Sequence, residues 1–204
     1  MANEADEHAL VADLYREGVD AIVAAAERRD EARTWATPAC GSWTALETVR
    51  HVVVVTEWYA EWLDRAVDGD ADPPFGPEQI DVRNLDELAR LDDVDGAEAT
   101  RRFAEQANAY LDRALQHWDL LYGFPRGTVT VGLHLRAATA EWHLHAWDLD
   151  HAHRPSDPGA VLRGLAACIA ATEPRWRRFL LLMLVRSASR RTPWLATLSR
   201  SGRR

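Results

Sequence analysis

The sequence predicts an all-α fold, a four-helix bundle with additional short C-terminal helices. Three observations predict it. Apolar residues recur at three- and four-residue steps through most of the 204 residues. Pro and Gly cluster between those stretches. No alternating run reads as a strand, the apolar piece Val52–Val55 lying inside a helical frame.

The first segment, Glu4 to Arg29, places Leu10, Val11, Leu14, Gly18, Ile22 and Ala26 on one amphipathic face. Trp35 to Trp43, which contains Pro38, Cys40 and Gly41, reads as a loop. Thr44-Ala-Leu-Glu47 is then a capping-box pattern, hydroxyl and carboxylate each satisfying an orphan N–H, and it opens a second helix that runs to about Val67. Asp68 to Gly96 is a polar excursion with Pro73, Pro74 and Pro77 near its start and a short helix near Leu85–Leu91. Loops of that length inside a compact domain are usually functional or mobile. A third long helix covers Ala97 to Leu121 and is ended by Gly123-Phe-Pro-Arg-Gly127; a fourth runs from Val131 to His153, before Pro155 and Pro158. A fifth, Gly159 to Thr172, precedes a sixth that has Pro174 in its first turn, where the missing N–H has no partner to lose. Residues 1–157 are expected to form the metal-binding bundle, with the C-terminal helices and basic tail of 158–204 packed on the same domain.

Composition narrows the function. Hydrophobic residues make up 47% and charged residues 27%, a globular balance. All 24 basic residues are Arg, so chemistry that needs a lysine (a Schiff base, a pyridoxal-phosphate anchor, a P-loop) is excluded. The net charge of −8 argues against nucleic acid as a partner, although nine Arg and no acid lie between Arg175 and Arg204. That tail reads either as an amphipathic helix folded back on an acidic body or as a polyanion-binding segment. Two cysteines are too few for a disulfide framework, and Cys40 is either a thiol-exchange position or inert. The opening residues lack a secretory signal pattern, and the longest apolar run, Phe179 to Val185, is far short of the ~20 residues that cross a bilayer. A cytoplasmic protein without membrane association is expected.

The chemistry-bearing residues lie on the second and fourth long helices. Glu141 and His145 are four apart and share a face; at ~100° per residue His134 and Asp148 fall on the same stripe. His51 points with Val55, Trp58 and Trp62, into the bundle. Singly, each has a plain explanation, a hydrogen-bonded core histidine or a helix-supporting pair worth tenths of a kcal/mol. Together they suggest more. A carboxylate buried beside imidazoles costs several kcal/mol unless a cation neutralises it, and two imidazoles with one carboxylate suit Zn2+, Ni2+ or Fe2+. Trp43, Trp58, Trp62, Trp142 and Trp147 either wall a pocket or fill the core, while His143, His151 and His153 read as solvent-side and Cys168 as buried packing.

The run from Trp43-Thr44 to His51 behind a Pro/Cys/Gly loop, with Glu141-x-x-x-His145-x-x-Asp148-Leu149, resembles the DinB-like superfamily and, within it, the N-terminal domain family of mycothiol-dependent maleylpyruvate isomerases. The closing Trp194-Leu-x-x-Leu-x-x-x-Gly202-Arg203 is similar to the way many single-domain members end. The resemblance implies a divalent metal, usually zinc, held by His51, Glu141 and His145. It also implies mycothiol as thiol co-substrate (other branches use bacillithiol) and a homodimer. A metal-activated thiolate would then attack an electrophilic small molecule, with Asp148 orienting a ligand or water and Arg83, of an Arg83-Asn84 pair, gripping a carboxylate. Ser42 interrupts the family's Gly-Trp, and Thr48 stands where a Leu is usual. A counterpart of the isomerase's additional C-terminal domain is not expected from this sequence, so thiol transfer is expected rather than isomerisation of maleylpyruvate. The alternative is a non-catalytic, stress-related, metal-binding dimeric bundle.

Overall fold

A computed structural model describes residues 4–172. Its four long helices are α1 (Glu4–Glu31), α2 (Ala45–Val67), α4 (Gly96–Gln116) and α5 (Val131–Leu149), with shorter α3 (Ile80–Ala89) and α6 (Pro158–Ala171). Helix α1 packs on α5 and α4, α2 packs on α4, and α6 covers α5. Side chains from all four long helices meet in one core that includes Tyr15, Ile22, Val53, Leu63, Phe103, Leu111, Leu135 and Trp142. Helices α1 and α5 approach so closely that a Cβ added at Gly18 would lie 2.8 Å from Trp142 Cβ. Glycine is what permits that contact.

The helix starts are chemically marked. In the capping box of α2, Glu47 N–H donates to Thr44 Oγ1 at 3.2 Å and Thr44 N–H donates to Glu47 Oε2 at 2.7 Å. Asp95, Thr130 and Asp157 accept from the first turns of α4, α5 and α6, and Pro158 occupies the tolerated first-turn position of α6. Helix α6 seats Val161 and Leu162 against Leu14 and Ala140.

The expectation of no strands is corrected by two small antiparallel hairpins. Strand β1 (Pro38–Cys40) pairs with β2 (Trp43–Thr44), and β3 (Leu121–Phe124) with β4 (Gly127–Thr130). Gly41, at φ 66°, supplies the left-handed residue that turns the first. The second hairpin buries Tyr122, Phe124 and Val129, so α4 ends at Gln116 and leaves Leu121 to the strand. Helix α5 stops at Leu149, short of His153, where Asp150 turns out to pair with Arg28 at 2.6 Å. The helix of the excursion begins earlier than expected, at Ile80. The predicted sixth helix and the basic tail lie outside the described residues. No helix among the described residues is long and apolar enough to cross a membrane.

His143 is also a correction, being fully buried rather than solvent-facing. Its Nε2–H donates to the Leu14 carbonyl at 2.9 Å, which leaves Nδ1 to accept from His153 Nε2, also at 2.9 Å. Burial and the neighbouring His153 push its pKa down to about 4.

Candidate metal centre

Helix α2 brings His51 in from its second turn, and α5 supplies Glu141 and His145 one turn apart. A donor atom from each lies within 4.8 Å of the other two. Glu141 Oε1 is 4.0 Å from Nε2 of both His51 and His145. The two imidazoles meet edge to face, with centroids 5.2 Å apart. The stripe read from helical phase is thus a real convergence of three heads from two helices.

Neighbours decide which atoms face inward. His51 Nδ1–H donates to Asn84 Oδ1 at 2.9 Å, and this leaves the Nε2 lone pair toward Glu141. On His145, Nδ1 lies 3.3 Å from Asp148 Oδ2, close but off hydrogen-bond alignment, and Nε2 again faces Glu141. The Tyr59 hydroxyl donates to Glu141 Oε2 and so turns Oε1 toward the imidazoles. The ring of Trp43 packs against His51 at 4.8 Å. Partners on the outer atoms of inward-facing imidazoles and carboxylates are what a metal site needs to orient its donors.

The electrostatics point the same way. Burial, helped by His145, drives the His51 pKa down to about 3. Burial also opposes charge on His145, but Asp148 and the Cys40 thiol outweigh it and raise that pKa to about 10. The cluster therefore favours one positive charge over two. His51 Nε2 and Glu141 Oε1 face one another as acceptors, His145 Nε2 joins them once that ring gives up its extra proton, and a divalent cation that displaces the proton satisfies all three. The residues fit the metal.

Of the predicted supporting residues, Asp148 stands directly behind His145 and is 6% exposed. Arg83 is exposed, its guanidinium 4.4 Å above the Phe75 ring, which packs on Trp58 and Trp62. No carboxylate among the described residues pairs with it. Its link to the centre runs through Asn84, the next residue. Trp142 is core filling rather than pocket wall, fully buried against Phe103 and Tyr15.

Sequence reasoning missed Asn84 and Tyr59 as supports, and it missed that Cys40 comes to the centre. Cys40, His145 and Asp148 also have donor atoms within 4.8 Å of one another. The Arg83-Asn84 pairing was the available signal for the first and the Pro/Cys/Gly loop ahead of His51 for Cys40; nothing in the sequence marked Tyr59. A groove between α1, α5 and α6, lined by Leu10, Leu14, Arg136 and Val161, is separate, and His51, Glu141 and His145 do not line it.

The crystal structure of the mycothiol-dependent maleylpyruvate isomerase superposes on this chain with a TM-score of 0.60, at 21% identity, covering 80% of this chain and 68% of the isomerase. The two share a fold. That agreement bears out the resemblance at the level of architecture. No protein-family model matches the chain, and no curated protein matches it.

Proposed function

We propose that this protein is a divalent-metal-dependent thiol S-transferase, using a low-molecular-weight thiol of the mycothiol type and an electrophilic small molecule. The observation that carries the proposal is the meeting of His51 Nε2, His145 Nε2 and Glu141 Oε1, with His51 and Glu141 each held by a hydrogen bond on its outer side. These three residues would hold zinc, or another divalent ion such as nickel or iron. Bound there, the ion would supply Lewis acidity, which converts a thiol of pKa ~8.5 into its nucleophilic thiolate at neutral pH.

The chain's own residues do the rest. Asn84 holds the His51 ring, Asp148 sets its negative charge 3.3 Å from His145 Nδ1, and Tyr59 keeps one Glu141 oxygen inward. Glu141 retains 31% side-chain exposure against 13% and 12% for the histidines, so the cluster opens on the carboxylate side. Trp58, Trp62 and Phe75 form an apolar wall, and Arg83 offers a planar fork to a carboxylate on the second substrate. The shared fold with a mycothiol-dependent enzyme supports the choice of thiol.

The test is adduct formation between mycothiol and a model electrophile. The rate is expected to vanish on chelation, to return with zinc, and to fall about 100-fold or more in His51→Ala, since even an outer-sphere partner is worth 10–100-fold. A His51→Ala enzyme as fast as the wild type would overturn the assignment.

A further inference from the structure

Asp148 is the least explained group near the centre. Its side chain is only 8% exposed, no arginine among the described residues pairs with it, and its close polar neighbour is His145 Nδ1 at 3.3 Å. That nitrogen is itself buried without an aligned hydrogen-bond partner. A carboxylate removed from water demands a counter-charge. The third group beside them is the thiol of Cys40, carried in at the end of β1 by the turn at Gly41.

We infer that Cys40, Asp148 and the Nδ1 edge of His145 form a second, alternative position for a thiophilic divalent cation. The inference rests on the reading of His145 as a metal ligand in the proposed function. His145 is the hinge between the positions, because a neutral imidazole has one lone pair in the ring plane and one N–H. With the ion on the His51–Glu141 side, the ring proton sits on Nδ1, toward Asp148. With the ion on the Cys40 side, the proton sits on Nε2, where Glu141 Oε1 is the facing acceptor 4.0 Å away. The two positions are mutually exclusive, one ion per chain.

Occupation of the second position displaces the Cys40 thiol proton to solvent, and thiolate plus carboxylate then cancel the charge of the dication. A sulfur, a nitrogen and an oxygen donor suit zinc or cobalt and discriminate against magnesium and calcium, which take oxygen ligands.

Cobalt(II) is the probe, because a thiolate ligand adds an intense near-ultraviolet charge-transfer band that nitrogen and oxygen donors do not. His51→Ala removes the first position and spares the second. It is expected to bind about one equivalent of cobalt with that band, and adding Cys40→Ser should abolish the band and weaken binding at least tenfold. His51→Gln repeats the measurement if the alanine variant fails to fold by circular dichroism. A His51 variant that folds but takes up no cobalt, or whose cobalt spectrum is unchanged by Cys40→Ser, overturns the second position. Failure of the first reading looks different: Cys40→Ser alone, with His51 intact, would then no longer hold an ion.

Discussion

His134 and His145 lie on the same helix, eleven residues apart and so on nearly the same stripe, and both are largely buried, yet their surroundings oppose one another. His134 is enclosed by the rings of Tyr59, Tyr122 and Phe124, with Tyr110 Oη 3.2 Å from its Nδ1. Burial, reinforced by Arg126, holds its pKa down to about 3. At His145 the same penalty is overcome by Asp148 and Cys40. The helical period brings both rings inward; what α2, β1 and β3 place opposite them makes one a neutral core residue and sets the other among carboxylate, thiol and imidazole groups that could share an ion. A histidine's role is set by its partners rather than its phase.

The largest expected effects come from deleting each ring. His145→Ala should leave a folded protein that retains no zinc on elemental analysis, because the residue belongs to both donor sets. His134→Ala should do the reverse, keeping the ion while losing about 2–4 kcal/mol of stability in urea denaturation, for the cavity it opens and the Tyr110 hydroxyl it strands. Loss of metal in His134→Ala at full folding, or full metal in His145→Ala, would break the contrast.

Acid sharpens it. The folded His134 pKa of about 3 lies below the ~6.5 of an unfolded histidine, so between those values the unfolded chain binds the extra proton. Stability from this group is complete above pH ~6.5 and falls by about 1.4 kcal/mol per unit as the pH drops. In chelated protein, denaturation midpoints at pH 6.5 and pH 5 should show His134→Phe losing about 2 kcal/mol less than the wild type over that interval. Equal losses would mean that His134 is protonated in the folded state.

How much of this was readable from the sequence depended on the period of each element. Four long helices carry enough turns for 3.6-residue spacing to emerge, so His51, Glu141 and His145 could be placed on facing stripes. Strands of two to four residues carry no period, so both hairpins passed for loops and Cys40 stayed a loop residue. Asn84 reaches His51 across 33 residues of chain from a proline-rich excursion, a purely tertiary contact. His143 misled because it reads with His151 and His153 as part of a histidine patch at the end of its helix. Its burial follows from Gly18, where an added Cβ would lie 2.8 Å from Trp142 Cβ, so glycine there lets α1 close over α5 and cover the His143 ring.

The smallest expected effect tests the support of the centre rather than its donors. Asn84 Oδ1 accepts the ring proton of His51 and so keeps Nε2 free for the ion. Asn84→Ala should weaken zinc binding about tenfold, the lower end for an outer-sphere partner. Because a general loss of packing would also weaken binding, Asn84→Asp is the discriminating variant. It keeps an acceptor oxygen at nearly the same place and adds negative charge beside the imidazole, so zinc affinity should match or exceed that of the wild type. Competition titration against a chromophoric chelator measures both. If aspartate fails where asparagine succeeds, Asn84 acts by shape alone and the tautomer of His51 is set elsewhere.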